Sequence, residues 1–292
     1  MSQTISPSTT RIYGLERVCL AWDVPRSTYY SRQKTRSNAK RGPRPKISDQ
    51  ELLSLIKKDI EHSPFKGEGH RKVHARLKRK KVRATRNRVL RIMRENDLLS
   101  PQRRPYSPPN KHDGIIVTDA PNIMWCTDGT KIFTVNDGWV WLFTVEEHWN
   151  AECLGWHVCK NGDRFGTLEP VTEAVKRIYG ALNQGIAQGL KLRSDHGTQY
   201  TSDYFLEQIR YMGIEESFGL VRQPQTNGVV ERFNRTLKEQ VINGRIFHTI
   251  EEVREVVSDF VEQYNHHWLL EKLGYKSPLE TRQEYNKLEV AA

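Results

Sequence analysis

Ile123-Met124-Trp125-Cys126-Thr127-Asp128-Gly129-Thr130-Lys131-Ile132-Phe133-Thr134-Val135, then Asn136-Asp137-Gly138, then Trp139-Val140-Trp141-Leu142-Phe143-Thr144-Val145, is the stretch that decides the fold. Aromatic and β-branched residues dominate both runs, and such side chains suit a pleated backbone. The Asn-Asp-Gly triplet between them supplies residues that tolerate positive φ, so the two runs predict an antiparallel hairpin. Trp139 to Val145 is the most apolar run of the chain, yet it has the length of a strand and not of a membrane span.

Downstream, Cys153 to Val158 predicts a third strand after another turn. A helix follows at about 166–182, a strand at Gly189–Ser194 and a helix from Ser202 to Met212. A short strand near Ile214–Phe218 precedes helices at about 228–243 and 250–267. An antiparallel meander followed by alternating helix and strand predicts an α/β fold, a mixed sheet covered by helices. This region is assigned to residues 122–280, with a tail at 281–292.

Upstream, Pro101, Pro105, Pro108, Pro109 and Pro121 mark a linker at 101–121. Residues 47–100 read as a small all-α module of three helices. Ser48-Asp49-Gln50-Glu51 is a capping box opening the first, with Leu52, Leu53, Ile56 and Ile60 inside. The second lies around His70–Lys80, with Val73 and Leu77 inward. Thr85 caps the third, whose Val89, Leu90 and Met93 point in while Arg88, Arg91 and Arg94 point out. Residues 1–46 contain two short helices around a turn at 14–32, the end of a helix-turn-helix, and a basic Pro-containing linker.

The net charge of +11 is unevenly spread. Residues 1–113 carry 28 Lys and Arg against 10 Asp and Glu, whereas residues 114–292 carry 18 against 25. A basic front half on a mildly acidic back half suggests a region that grips nucleic-acid phosphates, attached to something else. A solvated basic surface is the alternative, and charge alone does not separate the two. The arginine face of the third helix favours DNA, with Arg88, Arg91 and Arg94 as the groove-facing candidates. The cysteines at 19, 126, 153 and 159 form no C-x-x-C pair, which points to reduced thiols. His70 and His74 share a helix face but lack cysteine partners, so they read as ordinary helix residues rather than zinc ligands. Met1 to Arg11 is polar, without an apolar signal segment, and a cytoplasmic, nucleoid-associated protein is the expectation.

Three acids stand out. Asp128 interrupts the aromatic-rich first strand, Asp195 follows Leu190-Lys191-Leu192-Arg193-Ser194, and Glu231 lies early in a helix starting near Gly228. Val230, Phe233, Leu237 and Val241 form that helix's core stripe, so Glu231 flanks the buried face. Three carboxylates from two strands and a helix can hold two hard divalent cations, which neutralise charge at a phosphodiester. Each acid also has an ordinary reading, as a solvated charge, a turn residue and a first-turn helix residue respectively. Lys238, seven residues after Glu231, is expected on the same helix face beside DNA phosphate. Tyr200 is expected to flank the same groove.

At these residues the chain resembles the DDE transposases and retroviral-type integrases, and most closely the OrfB subunit of the insertion sequence three family. Thirty-five residues separate Asp195 from Glu231, as in that superfamily. Trp125-Cys126-Thr127-Asp128-Gly129-Thr130 is similar to the family's first acid motif. Arg193-Ser194-Asp195-His196-Gly197-Thr198-Gln199-Tyr200-Thr201-Ser202 is similar to the second. Gln223-Pro224-Gln225-Thr226-Asn227-Gly228-Val229-Val230-Glu231-Arg232-Phe233-Asn234, with Thr236-Leu237-Lys238, is similar to the third. Tyr264-Asn265, Leu273-Gly274-Tyr275-Lys276-Ser277-Pro278, Val24-Pro25-Arg26-Ser27-Thr28-Tyr29-Tyr30 and Asn96-Asp97-Leu98 extend the likeness over nearly the whole chain. Gly129-Thr130-Lys131 departs from the more apolar triplet of many relatives.

The resemblance implies a ribonuclease H-like core with Asp128, Asp195 and Glu231 as catalytic and metal-binding residues. It implies two Mg²⁺ (or Mn²⁺) ions and, as substrates, the terminal inverted repeats of an insertion sequence and target DNA. It further implies a homo-oligomer on DNA, and an upstream-frame subunit or frameshift fusion as a candidate partner; no membrane is involved. A non-catalytic DNA-binding regulator derived from a transposase is the alternative. It accounts for the basic half and leaves the matched acids without a role.

Overall fold

Strands β1 (Met124–Thr134) and β2 (Gly138–Glu147) pair antiparallel in the computed structural model, from Trp125 opposite Glu147 to Thr134 opposite Gly138. The turn between them reverses through Gly138 at φ 71°, as the Asn-Asp-Gly triplet predicts. Residues 2–33, 46–101, 116–218 and 228–291 are described by the structure. The chain divides into two units, Met1–Lys46 and Ile47–Ala292.

The first unit holds helices α1 (Leu15–Ala21) and α2 (Arg26–Gln33), separated by a turn with Asp23 at φ 50°. In the second unit, α3 (Asp49–Glu61), α4 (His70–Arg79) and α5 (Arg86–Glu95) pack around Leu52, Ile56, Val73, Leu77, Val89, Ile92 and Met93. The capping box forms as the sequence predicts: the Glu51 amide donates to Ser48 Oγ at 3.1 Å and the Ser48 amide to Glu51 Oε2 at 2.8 Å. Thr85 caps α5 by accepting from the Arg88 amide. His74 has a structural partner, its Nε2 lying 3.1 Å from the Ala84 carbonyl.

The remaining strands are β3 (Cys153–Cys159), β4 (Lys191–Ser194) and β5 (Glu215–Phe218), giving the order β3-β2-β1-β4-β5. β1, β2 and β3 are antiparallel, while β4 lies parallel to both β1 and β5. Helices α6 (Arg164–Tyr179) and α7 (Asp203–Tyr211) cover one face, burying Trp125, Phe143, Val145, Leu154 and Leu192. Helices α8 (Gly228–Leu237) and α9 (Ile250–His267) cover the other, over Ile132, Val140, Leu142 and Val158. Alternate strand residues feed alternate cores, as the two-residue period of a pleated strand requires. Gly129 is needed for one of these contacts: a Cβ there would stand 2.4 Å from Phe143 Cε1.

Three boundaries differ from the sequence reading. β2 runs two residues past Val145, burying both Glu146 and Glu147. Two adjacent glutamates read as a strand end, but Glu147 finds Arg282 at 3.3 Å from α10 (Pro278–Ala291). That same Arg282, paired also with Glu152, anchors as helix the residues read as a tail. The helix expected to reach 243 changes at Lys238–Ile242 into a wider π turn, closed by the Asn243 amide on the Lys238 carbonyl at 2.7 Å.

The helical module packs directly on the sheet domain. Phe65 is buried in the α8–α9 core, edge-on to Trp268 with ring centroids 4.7 Å apart. The Lys66 amide donates to Gln240 Oε1 and Gln240 Nε2 returns a bond to the Lys66 carbonyl, both at 2.9 Å. No helix among the described residues is long and apolar enough to cross a membrane.

Candidate active site

Asp128 stands on β1 opposite Thr144, on the strand face shared with Cys126, Thr130 and Ile132 and covered by α8 and α9. The parallel register of β1 with β4 ends at Cys126 beside Arg193. Carried two residues further along both strands, it sets Asp128 beside Asp195, which lies one residue past the end of β4. The strand order therefore brings two acids, 67 positions apart, side by side at the carboxyl end of β4. Glu231 comes from the first turn of α8 above them.

Asp128 is only partly exposed and has two fixed partners. Its Oδ1 accepts from the Gly129 amide at 2.8 Å, and its Oδ2 accepts from Asn234 Nδ2 at 3.1 Å. Burial raises its carboxyl above the usual range, and the charge of Asp195 adds to this; the two hydrogen bonds and Lys238 act in the opposite direction. Burial also raises Glu231, followed by the charge of Asp128, while Arg235 opposes. Asp195 is exposed and accepts from the Gly197 amide at 2.9 Å, which shapes its loop.

Asp128, Glu231, Asn234 and Lys238 line a single cavity of ≈ 350 Å³. Lys238 lines this cavity from the first residue of the π turn. Asp195 does not line that cavity. Among the described residues no three His, Cys, Asp or Glu side chains are grouped closely enough to hold a metal ion. Asp195 acts electrostatically on Asp128, and Asp128 on Glu231.

Two residues without an assigned role prove important to the geometry. Asn234 is buried and holds Asp128; its place three residues after Glu231 on a helix was the available signal. Glu146 is fully buried, opposite Cys126 on the strand face of Asp128. Burial pushes its carboxyl well above the usual range, Asp128 adds to this and the Thr144 hydroxyl opposes it. Its signal was an acid at an inward position of an apolar strand.

The placement of Tyr200 at the DNA groove is corrected. It is 1% exposed, edge-on to Phe143 and Phe205, with its hydroxyl 3.4 Å from Thr127 Oγ1. The ring supports the strand under the site from the α6–α7 side, since five residues past Asp195 the chain has already turned back into the core. On α5, Arg88 and Arg91 each reach Asp49 at 2.6 Å, and Arg91 also reaches Glu95 at 2.9 Å. Arg88 is largely covered there, a correction to its expected outward position, because the N-terminus of α3 supplies a carboxylate that the helix pattern of α5 does not reveal. Arg94 is exposed, with no ion pair among the described residues.

The integrase core domain family matches residues 118–224 and again 212–278, and an HTH-like domain family matches 48–106. The chain is 30% identical over 220 residues to the Escherichia coli transposase InsD of insertion element IS2A/D/F/H/I/K, covering 73% of this chain and 72% of that protein. The chain belongs to the integrase-core transposases of the insertion sequence three family, and its function is DNA transposition and integration. The catalytic core domain of BIV integrase aligns with a TM-score of 0.42 at 22% identity, over 57% of this chain and 99% of that one. The HTLV-2 integrase catalytic core in complex with magnesium gives 0.41 at 16%, over 55% and 96%.

Proposed function

We propose that Asp128, Asp195 and Glu231 form the catalytic centre of this transposase and together hold two divalent ions, Mg²⁺ or Mn²⁺, when DNA is bound. The observation that carries the reading is the shared cavity of Asp128, Glu231, Asn234 and Lys238, beside the strand edge where Asp195 lies. The donor set fits such ions: all three groups are hard oxygen ligands, and burial and mutual repulsion lift two of them to where a cation would relieve both. Bound there, the ions supply charge neutralisation at the attacking and leaving oxygens of a phosphodiester.

The chain's own residues do the rest. Asn234 fixes the Asp128 carboxylate through a partly buried hydrogen bond, so that one oxygen keeps its direction as charge develops. Lys238 offers an ammonium group to a backbone phosphate next to the scissile one. The reaction is cleavage at the element's end followed by attack of the freed 3′-hydroxyl on a second phosphodiester. It takes place in the cytoplasm on nucleoid DNA, in a homo-oligomer that holds two ends, with or without an upstream-frame partner. Residues 47–100 contribute DNA affinity, with Arg94 the remaining groove-facing candidate on α5.

The test is nicking of a labelled duplex carrying the element's terminus, with Mg²⁺, by wild type and Asp195→Asn. Loss of nicking with retained DNA binding is expected. Equal nicking by the two proteins would end the assignment and favour a metal-independent role.

A further inference from the structure

The strongest unassigned feature is a cleft of ≈ 740 Å³ between α4 and the turn that leads into α10. One wall is a single face of α4: Arg71, His74, Ala75, Lys78 and Arg79 follow the i, i+3, i+4, i+7, i+8 spacing that lines residues up on a helix. The opposite residues of α4, Val73 and Leu77, are buried in the helical module. The other wall is Gly274, Tyr275 and Lys276 of the sheet domain, and Arg86 closes one side.

Five cations line this cleft, namely Arg71, Lys78, Arg79, Arg86 and Lys276, against one carboxylate, Glu280. Three of the five already have carboxylate partners. Arg71 reaches Glu271 at 2.7 Å, Arg79 reaches Glu280 at 2.9 Å, and Lys276 contacts Glu284. These pairs are exposed and so contribute little, and phosphate oxygens can replace the carboxylates at small cost. Arg79 also donates to the Tyr275 carbonyl at 2.7 Å, holding the two walls together. Lys78 and Arg86 are exposed and in no ion pair among the described residues. From Arg71 to Lys78 the helix advances about 10.5 Å, the axial length of roughly three phosphates on one DNA strand.

We propose that this cleft seats the sugar-phosphate backbone of duplex DNA, gripped jointly by α4 and the sheet domain. The inference rests on the chain acting on DNA; it does not rest on the acidic triad. It transfers the main phosphate contact of the helical module from Arg88 and Arg91 of α5, which are tied to Asp49, to the outer face of α4 together with Arg86 at the start of α5. Because Lys276 belongs to the sheet domain, DNA held here is set in a defined orientation to the domain that carries the acids.

The experiment measures fluorescence anisotropy of a labelled duplex oligonucleotide of arbitrary sequence with the full chain at several salt concentrations. Lys78→Ala/Arg86→Ala should weaken binding at least tenfold at low salt. It should also flatten the slope of log K against log salt by about two, since each phosphate neutralised by the protein adds roughly 0.9 to that slope. Lys78→Arg/Arg86→Lys should recover both quantities. Unchanged affinity and slope in the alanine variant overturn the proposal, as does failure of the charge-retaining variant to recover them should the alanine variant melt early. Asp195→Asn should bind this duplex with the wild-type slope whatever it does to cutting. A failed nicking assay therefore removes the catalytic reading alone, and an unchanged slope removes the cleft alone.

Discussion

The acidic cavity under α8 and the basic cleft along α4 both crowd like charges, and they do so in opposite media. Asp128 is partly buried, its carboxyl raised by burial and by the charge of Asp195, and its own charge raises Glu231 and the fully buried Glu146. Arg71, Lys78, Arg79 and Arg86 lie on an exposed face where water and salt screen them. Charges crowded in a low-dielectric site shift one another's protonation and call for a cation. Charges crowded on a surface stay ionised and attract a polyanion in proportion to the salt they release.

The largest effect expected from this contrast lies in the cavity. Glu231→Gln or Asp195→Asn should lower DNA cleavage by at least about 10³-fold, since several kcal/mol of charge stabilisation are removed and each ~1.4 kcal/mol is tenfold. The salt slope of duplex binding should not move. A variant that lost binding and cleavage in equal proportion would erase the distinction between the two regions.

Asn234→Ala should act on the cavity alone and less severely, lowering cleavage by one to two orders of magnitude, as loss of an oriented hydrogen bond does. Its measured signature is a fall in the maximal cleavage rate with duplex affinity preserved. Lys238→Ala tests the border between the regions. About a tenfold loss in end binding and joining is expected with an unchanged melting temperature, consistent with removal of a charged hydrogen bond to phosphate. A lowered melting temperature with constant activity per folded molecule would make the lysine structural.

The smallest effect is thermodynamic and reads the burial itself. A carboxyl whose folded pKa is raised binds its proton more tightly folded than unfolded, so its contribution to stability falls as pH rises through that window. Asp128→Asn without divalent ions should therefore melt a few degrees higher than wild type at neutral pH, at roughly 2–4 °C per kcal/mol for a chain of this size. The gain should vanish as pH falls below the ordinary carboxylate range. Mg²⁺ should raise the melting temperature of wild type and not of the variant. No pH dependence in the difference would show that Asp128 is not strained by its surroundings.

Sequence by itself determined the hairpin, the alternation of strands and helices and the capping box at Ser48, and it singled out the three acids proposed as the centre. Each of these depends on neighbours within a few residues, or on motifs whose spacing survives in one dimension. Tertiary structure decided the rest, because the deciding partner lay far along the chain. Tyr200 became a buried support because Phe143 and Phe205 enclose it. Glu147 continued a strand because Arg282, 135 residues on, meets it. Arg88 turned inward because Asp49, the first residue of α3, meets it. Helical periodicity could mark a basic face on α4 as well as on α5, but it could not say which face the fold would leave open. That depends on which carboxylates the packed helices bring within reach, a property of three-dimensional proximity that local spacing does not encode.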